Sequence, residues 1–85
     1  MLKDQVKMTK VLDRTRKKID RIDLKLQKYL SKREVLIKKI KKIKKTNDIK
    51  IEDPVREREI LKKIKSLYVK KIFKSIIKIS KEIQR

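Results

Sequence analysis

From Asp4 to Lys45 the chain contains neither Gly nor Pro, and its apolar residues recur with a helical period the whole way. Leu12, Thr15, Ile19, Ile22, Leu26, Tyr29, Arg33, Leu36, Ile40 and Ile43 alternate steps of three and four, a heptad-like stripe with polar interruptions at Thr15 and Arg33. The pattern predicts one helix over about residues 4–45. At 1.5 Å per residue such a helix is roughly 60 Å long. A compact globule of 85 residues has a radius of gyration of only about 12 Å. The rest of the chain is too short to cover the stripe, and a core of this size is marginal alone. The helix therefore needs a partner chain, or frays at its N-terminus.

The period is lost across Lys45–Thr46–Asn47–Asp48–Ile49–Lys50–Ile51–Glu52, which carries turn formers and is expected as a loop over 46–53. Asp53–Pro54 then marks a helix start. Asp53 can cap, Pro54 suits the first helical position, and Glu57 places negative charge near the positive end of the dipole. A second apolar series runs from Ile60 to Ile83. Leu61, Ile64, Tyr68, Ile72, Ile76, Ile79 and Ile83 keep helical spacing throughout, while Ser66 is a candidate cap for a new helix. One helix and two are both open on spacing alone. The preferred reading is two, over about 54–66 and 69–84, with a tight bend near 65–69. No apolar run shows sustained period-two alternation, so the fold class is all-α, in a single domain over residues 1–85.

The missing residue types exclude much chemistry. With no Cys and no His, disulfides, thiolate metal sites and nucleophile–histidine catalysis lack their usual groups. With no Gly there is no glycine-rich phosphate loop. No metal and no cofactor are expected. No apolar run approaches the roughly 18 residues of a membrane span, and residues 1–10 are too charged for a signal peptide. The expectation is a soluble cytoplasmic protein. Thirty Lys and Arg against 11 Asp and Glu give a net charge of +19. Such a charge raises nucleic acid as a partner, although only Tyr29, Tyr68 and Phe73 could stack on bases. A second source is compositional drift, since Lys and Ile are what AT-rich codons supply.

Several polar residues stand where apolar ones are expected. Arg33, Ile37, Ile40 and Lys44 share a helix face at 0, +4, +7 and +11, so two cations line one stripe. An Arg in a seam either pairs with an anion or snorkels out. Phe73, Ile77, Ser80 and Gln84 also share a face, continuing an apolar row with two uncharged polar groups. Asp53, Arg56 and Glu57 cluster at the start of the second helix. Each feature alone reads as a solvated or dipole-paired side chain; their joint order is more informative.

That order resembles the all-helical (type II) chorismate mutases. Arg16–Lys17–Lys18–Ile19–Asp20–Arg21–Ile22–Asp23 is similar to the family's opening R-x-x-I-D-x-I-D. Leu26, Leu30, Arg33, Ile40 and Lys44 follow in step. Ile51–Glu52–Asp53–Pro54–Val55–Arg56–Glu57 resembles I-x-D-x-x-R-E. Ile72–Phe73, Ile76–Ile77, Ser80 and Gln84 resemble the closing I-F-x-x-I-I-x-x-S-x-x-x-Q. The likeness covers residues 12–84 and needs no gap from Arg16 to Glu57. It departs between the second and third helices, where the family has a longer connection and only 12 positions separate Leu61 from Phe73. In one continuous helix Glu57 and Ser80, 23 residues apart, would stand roughly 35 Å from each other, and only a swapped assembly could bring them to one substrate.

The resemblance implies an intertwined helical homodimer with shared active sites and a small dianionic substrate. The implied activity is rearrangement of chorismate to prephenate, in phenylalanine and tyrosine biosynthesis. Arg33 would hold one substrate carboxylate, and Arg16 of the partner subunit another. Lys44 and Gln84 would donate to the ether oxygen of the breaking bond. Glu57 would accept from the ring hydroxyl, with the backbone near Asp53 assisting, and Arg56 and Ser80 would support the carboxylate region. An isochorismate-pyruvate lyase of the same fold is the enzymatic alternative, and a basic nucleic-acid-binding protein the non-enzymatic one. The latter gives no reason for Asp53, Arg56, Glu57, Ser80 and Gln84 to recur at family spacing. An intramolecular rearrangement needs no nucleophile, metal or cofactor, which fits a chain without His or Cys.

Overall fold

The computed structural model describes residues 2–85; residue 1 of the expected 1–85 span lies outside them. Three helices follow one another: α1 over Leu2–Thr46, α2 over Pro54–Lys62 and α3 over Leu67–Gln84. There is no strand among the described residues. The chain is all-α. No helix of the described residues is long and apolar enough to cross a membrane.

Each helix boundary has a local cause. α1 ends where Asp48 takes a left-handed conformation, φ 54°, a position that Gly usually fills. The Ile49 N–H then donates to Lys44 O at 2.8 Å, closing a Schellman-type turn, and Asn47 Nδ2 donates to Ile43 O at 2.8 Å. These bonds satisfy carbonyls that the helix end would otherwise leave open. α2 begins as its sequence requires: Asp53 Oδ1 accepts from the Arg56 N–H at 3.0 Å, with Pro54 at the first turn. It stops at Lys62, four residues before the expected end, although no Gly or Pro intervenes. Ser66 supplies the reason. Its side chain accepts from the Val69 N–H at 3.3 Å and caps α3, so residues 63–66 form the bend, slightly ahead of the expected 65–69.

The chain divides into two parts, one ending at Lys32 and one spanning Arg33–Arg85. In the first, every described side chain from Lys3 to Lys32 is exposed, including Ile19, Ile22, Leu26 and Tyr29. In the second, α2 contacts α3, and the end of α1 contributes Ile37. Ile37 and Ile77 are the buried apolar residues among those described, and Ser80 is buried with them. The face Phe73–Ile77–Ser80–Gln84 turns inward: Ile77 and Ser80 are buried, and Phe73 and Gln84 half-buried. On α1 the inward line is Arg33–Ile37–Lys44. Leu36 and Ile43, the seam residues beside it, stay more than half exposed.

Candidate active site

The Arg33–Arg85 part forms a half-open cavity of about 290 Å³. Its floor is apolar, made by Ile37, Ile40, Ile60 and Ile77. Its polar wall draws on every segment of this part: Arg33 and Lys44 from α1, Asp53 from the connection, Arg56 and Glu57 from α2, and Ser80 and Gln84 from α3. The bend at 63–66 is what permits this. By turning α3 back, it puts Glu57 and Ser80 on one wall within a single chain. The volume is near the lower end for ligand sites, about 300 Å³, and suits a small molecule.

Arg33 is the most constrained of the cations. Its Nη1 donates to Ser80 Oγ, while Ser80 donates its own proton to Ile76 O at 2.7 Å. The serine hydroxyl is thereby used on both sides and clamps the guanidinium. Burial, and then the nearby charge of Arg56, push the Arg33 guanidinium below its ordinary range. Arginine still carries its charge at any physiological pH. Two like charges thus share a partly desolvated wall, which an anion between them would relieve.

Lys44 is tied at two points. Its main-chain carbonyl accepts from Ile49, and its Nζ donates to Ile51 O at 2.8 Å. That side-chain bond occupies one of three ammonium protons and leaves two for the cavity. Gln84 Nε2 donates to Ser80 O at 3.2 Å. Gln84 Oε1 and Glu57 Oε1 are both buried without an aligned hydrogen-bond partner. Buried unsatisfied acceptors are rare, because each carries its desolvation penalty uncompensated. Gln84 Oε1 is such an acceptor on the cavity wall and is open to a donor there, whereas Glu57 Oε1 has the Lys81 ammonium 2.9 Å away.

Of the sequence-predicted site residues, Arg33, Lys44, Asp53, Arg56, Glu57, Ser80 and Gln84 all line this cavity. Arg16 does not: it is an exposed residue of α1 within the first part of the chain. Two wall residues have roles that their sequence context does not reveal. Ile51 acts through its carbonyl, which no side-chain pattern reveals. Lys81 stands 2.9 Å from Glu57 Oε1 and 3.1 Å from Glu52 Oε2. Its spacing from Ile77 and Gln84 places it on the inward face, yet one lysine does not stand out in a chain so rich in them. Beyond the wall, Arg85 Nη2 donates to Glu52 Oε1 at 2.9 Å.

A family model described as chorismate mutase type II matches residues 15–85. No curated protein matches the chain, and no solved structure does.

Proposed function

The chain belongs to the type II chorismate mutase family, and on that premise we propose that it converts chorismate to prephenate, in phenylalanine and tyrosine biosynthesis. The observation that carries the reading is the convergence of Arg33, Lys44, Glu57 and Gln84 on one small cavity with an apolar floor.

The reaction is an intramolecular Claisen rearrangement. The ether C–O bond breaks as a C–C bond forms between the enolpyruvyl arm and the ring, with no group added or lost. Arg33, one donor of which is anchored on Ser80, holds a carboxylate of the dianion and helps fold the arm over the ring. That is the orientation term of catalysis. Negative charge grows on the ether oxygen as the bond breaks. The two free protons of Lys44 and the second amide proton of Gln84 are donors set in place beforehand, which favours the transition state over the ground state. Glu57 accepts from the ring hydroxyl, with the backbone near Asp53 beside it. Gln84 is neutral at every relevant pH, so the rate needs no acid; a collapse between pH 6 and 8 would contradict this assignment.

The second carboxylate we assign to Arg16 of the partner subunit, with Arg56 and Ser80 supporting the carboxylate region. The exposed row Ile19, Ile22, Leu26 and Tyr29 supports a homodimer, since each is at least half exposed in the single chain. An isologous pairing would cover the row on both copies. The remaining cations steer a dianion toward the cavity at low salt.

The deciding experiment mixes purified protein with chorismate and follows the loss of its absorbance. Conversion to prephenate is expected; no conversion at micromolar enzyme would refute the reading. Isochorismate as a parallel substrate separates a mutase from a lyase, which would release pyruvate.

A further inference from the structure

The cavity wall carries four cations, Arg33, Lys44, Arg56 and Lys81, against two carboxylates, Asp53 and Glu57, for a net charge of +2. Lys81 differs from the other three in facing carboxylates on both sides: Glu57 Oε1 at 2.9 Å and Glu52 Oε2 at 3.1 Å. Arg85 holds the other oxygen of Glu52 at 2.9 Å. The result is a row of alternating charge, Arg85–Glu52–Lys81–Glu57, that runs from the end of α3 through the connection to the first turn of α2.

The Lys81–Glu57 pair is not an ordinary surface pair. The two side chains are 25% and 28% exposed, and the Glu57 oxygen that meets the ammonium is buried. The contact is an ion pair at 2.9 Å, and a carboxylate, with about four lone-pair sites, can still accept from a further donor. The Lys81–Glu52 contact does meet hydrogen-bond geometry, at 3.1 Å. Lys81 is thus held from the connection side and presents its charge to Glu57.

We infer that Lys81 is a positioning residue: anchored by Glu52, it sets the Glu57 carboxylate on the cavity wall so that it can accept from the substrate's ring hydroxyl. This rests on the reading of Glu57 as that acceptor. A lysine that instead touched the substrate directly would need its charge free. Here both of its close neighbours are carboxylates of the chain itself.

The charged groups that share the cavity wall with Lys81 are Arg33 and Lys44 on α1, Asp53 in the connection, and Arg56 and Glu57 on α2; Glu52 meets it from the connection, and Arg85 at the end of its own helix meets Glu52. Glu57 first, then Glu52, hold the Lys81 ammonium above the ordinary lysine range. Its titration, followed by NMR of labelled lysine and assigned by the signal missing in Lys81→Met, therefore reports the pair without any substrate. It should lie above the ordinary lysine value, about 10.4. It should fall back further in Glu57→Gln than in Glu52→Gln. A normal titration in the native protein, or an effect of Glu52→Gln alone, would overturn the inference.

Kinetics supply the second arm. Lys81→Met should lower kcat/KM about tenfold, within the range for coupled neighbours, and Lys81→Arg should restore most of it. Once Glu57 is already Gln, Lys81→Met should have no further effect. Losses that multiply in the double variant would mean that Lys81 acts on the substrate directly, and would overturn the inference. If the native protein does not turn over chorismate, the mutase reading fails, while the lysine titration still decides whether Lys81 and Glu57 form the pair.

Discussion

The stretch up to Lys32 and the part from Arg33 onward are both helical, both lysine-rich and both patterned with apolar residues, yet their interactions differ in range. In the first, the side-chain contacts among the described residues are local. Thr9 Oγ1 donates to Gln5 O and Thr15 Oγ1 to Val11 O, both at 2.8 Å, and Lys32 lies over the Tyr29 ring at 5.6 Å. In the second, side chains bond across 29 residues from Lys81 to Glu52, 33 from Arg85 to Glu52 and 47 from Arg33 to Ser80. Amphipathic spacing is thus sufficient to make a helix and insufficient to bury it. Burial needs a second surface, which the bend at 63–66 supplies within one chain only for the Arg33–Arg85 part.

The sharpest way to break the comparison is at the cavity. Lys44→Ala should lower kcat by about 100- to 1000-fold, or roughly 3–4 kcal/mol of transition-state stabilisation, the effect of losing one preplaced donor. Near-native turnover in both Lys44→Ala and Arg33→Ala would remove the cavity from the mechanism. Ile77→Ala comes next. It truncates one of the few buried apolar side chains and should destabilise the protein by about 2–3 kcal/mol, at the low end for such changes because the core is small; urea unfolding measures it. If Ile77→Ala is neutral, the Arg33–Arg85 part is not a true core.

The exposed row of α1 gives the third test. Leu26→Glu should leave a single folded chain untouched but split a homodimer, with a halved mass by light scattering and reduced helicity. A native protein that is a stable folded monomer would dispose of the homodimer. A smaller effect is expected from Ser66→Ala, which removes the cap of α3 and should cost about 1 kcal/mol.

The smallest effect concerns pH. Lys81 first, then Arg85, hold the Glu52 carboxyl below the usual carboxylate range. A depressed carboxyl contributes stability fully above its unfolded value, about 4.3, and that contribution is lost as pH falls through the folded value. Lys81 is raised, so its contribution is complete below about 10.4 and lost as pH rises through its folded value. The melting temperature should therefore be flat between these limits and decline outside them. In Glu52→Gln the acid decline should be shallower, because one of the carboxyls that must be protonated is gone.

The helix starts were readable because their signals are local. Asp53–Pro54 opens α2 and Ser66 caps α3 by bonds to backbone N–H groups three residues ahead. The long α1 followed from an uninterrupted period and the absence of Gly and Pro. Where α2 ends was less legible, because Lys62 to Lys65 carries no breaker and two different arrangements satisfy the same spacing. The site residues that stand out against an apolar row, Arg33, Ser80 and Gln84, were visible for the same reason that they matter: each is a polar group on an inward face. Lys81 and the Ile51 carbonyl were not visible. A lysine among many has no contrast, and a carbonyl is present at every position.

The amino-acid order alone determined an all-α chain, a long first helix, a helix start at Asp53–Pro54, and the polar residues set into the apolar rows of α1 and α3. It also determined that no zinc–thiolate or nucleophile–histidine chemistry was available to the chain. These follow from bonds within four residues and from which side-chain groups exist at all. Only the tertiary structure decided that α3 folds back at 63–66, that Glu57 and Ser80 meet on one wall, and that Lys81 stands between Glu52 and Glu57. Such contacts depend on where distant segments come to rest, and residues 29 or 47 positions apart share no period from which their meeting could be read.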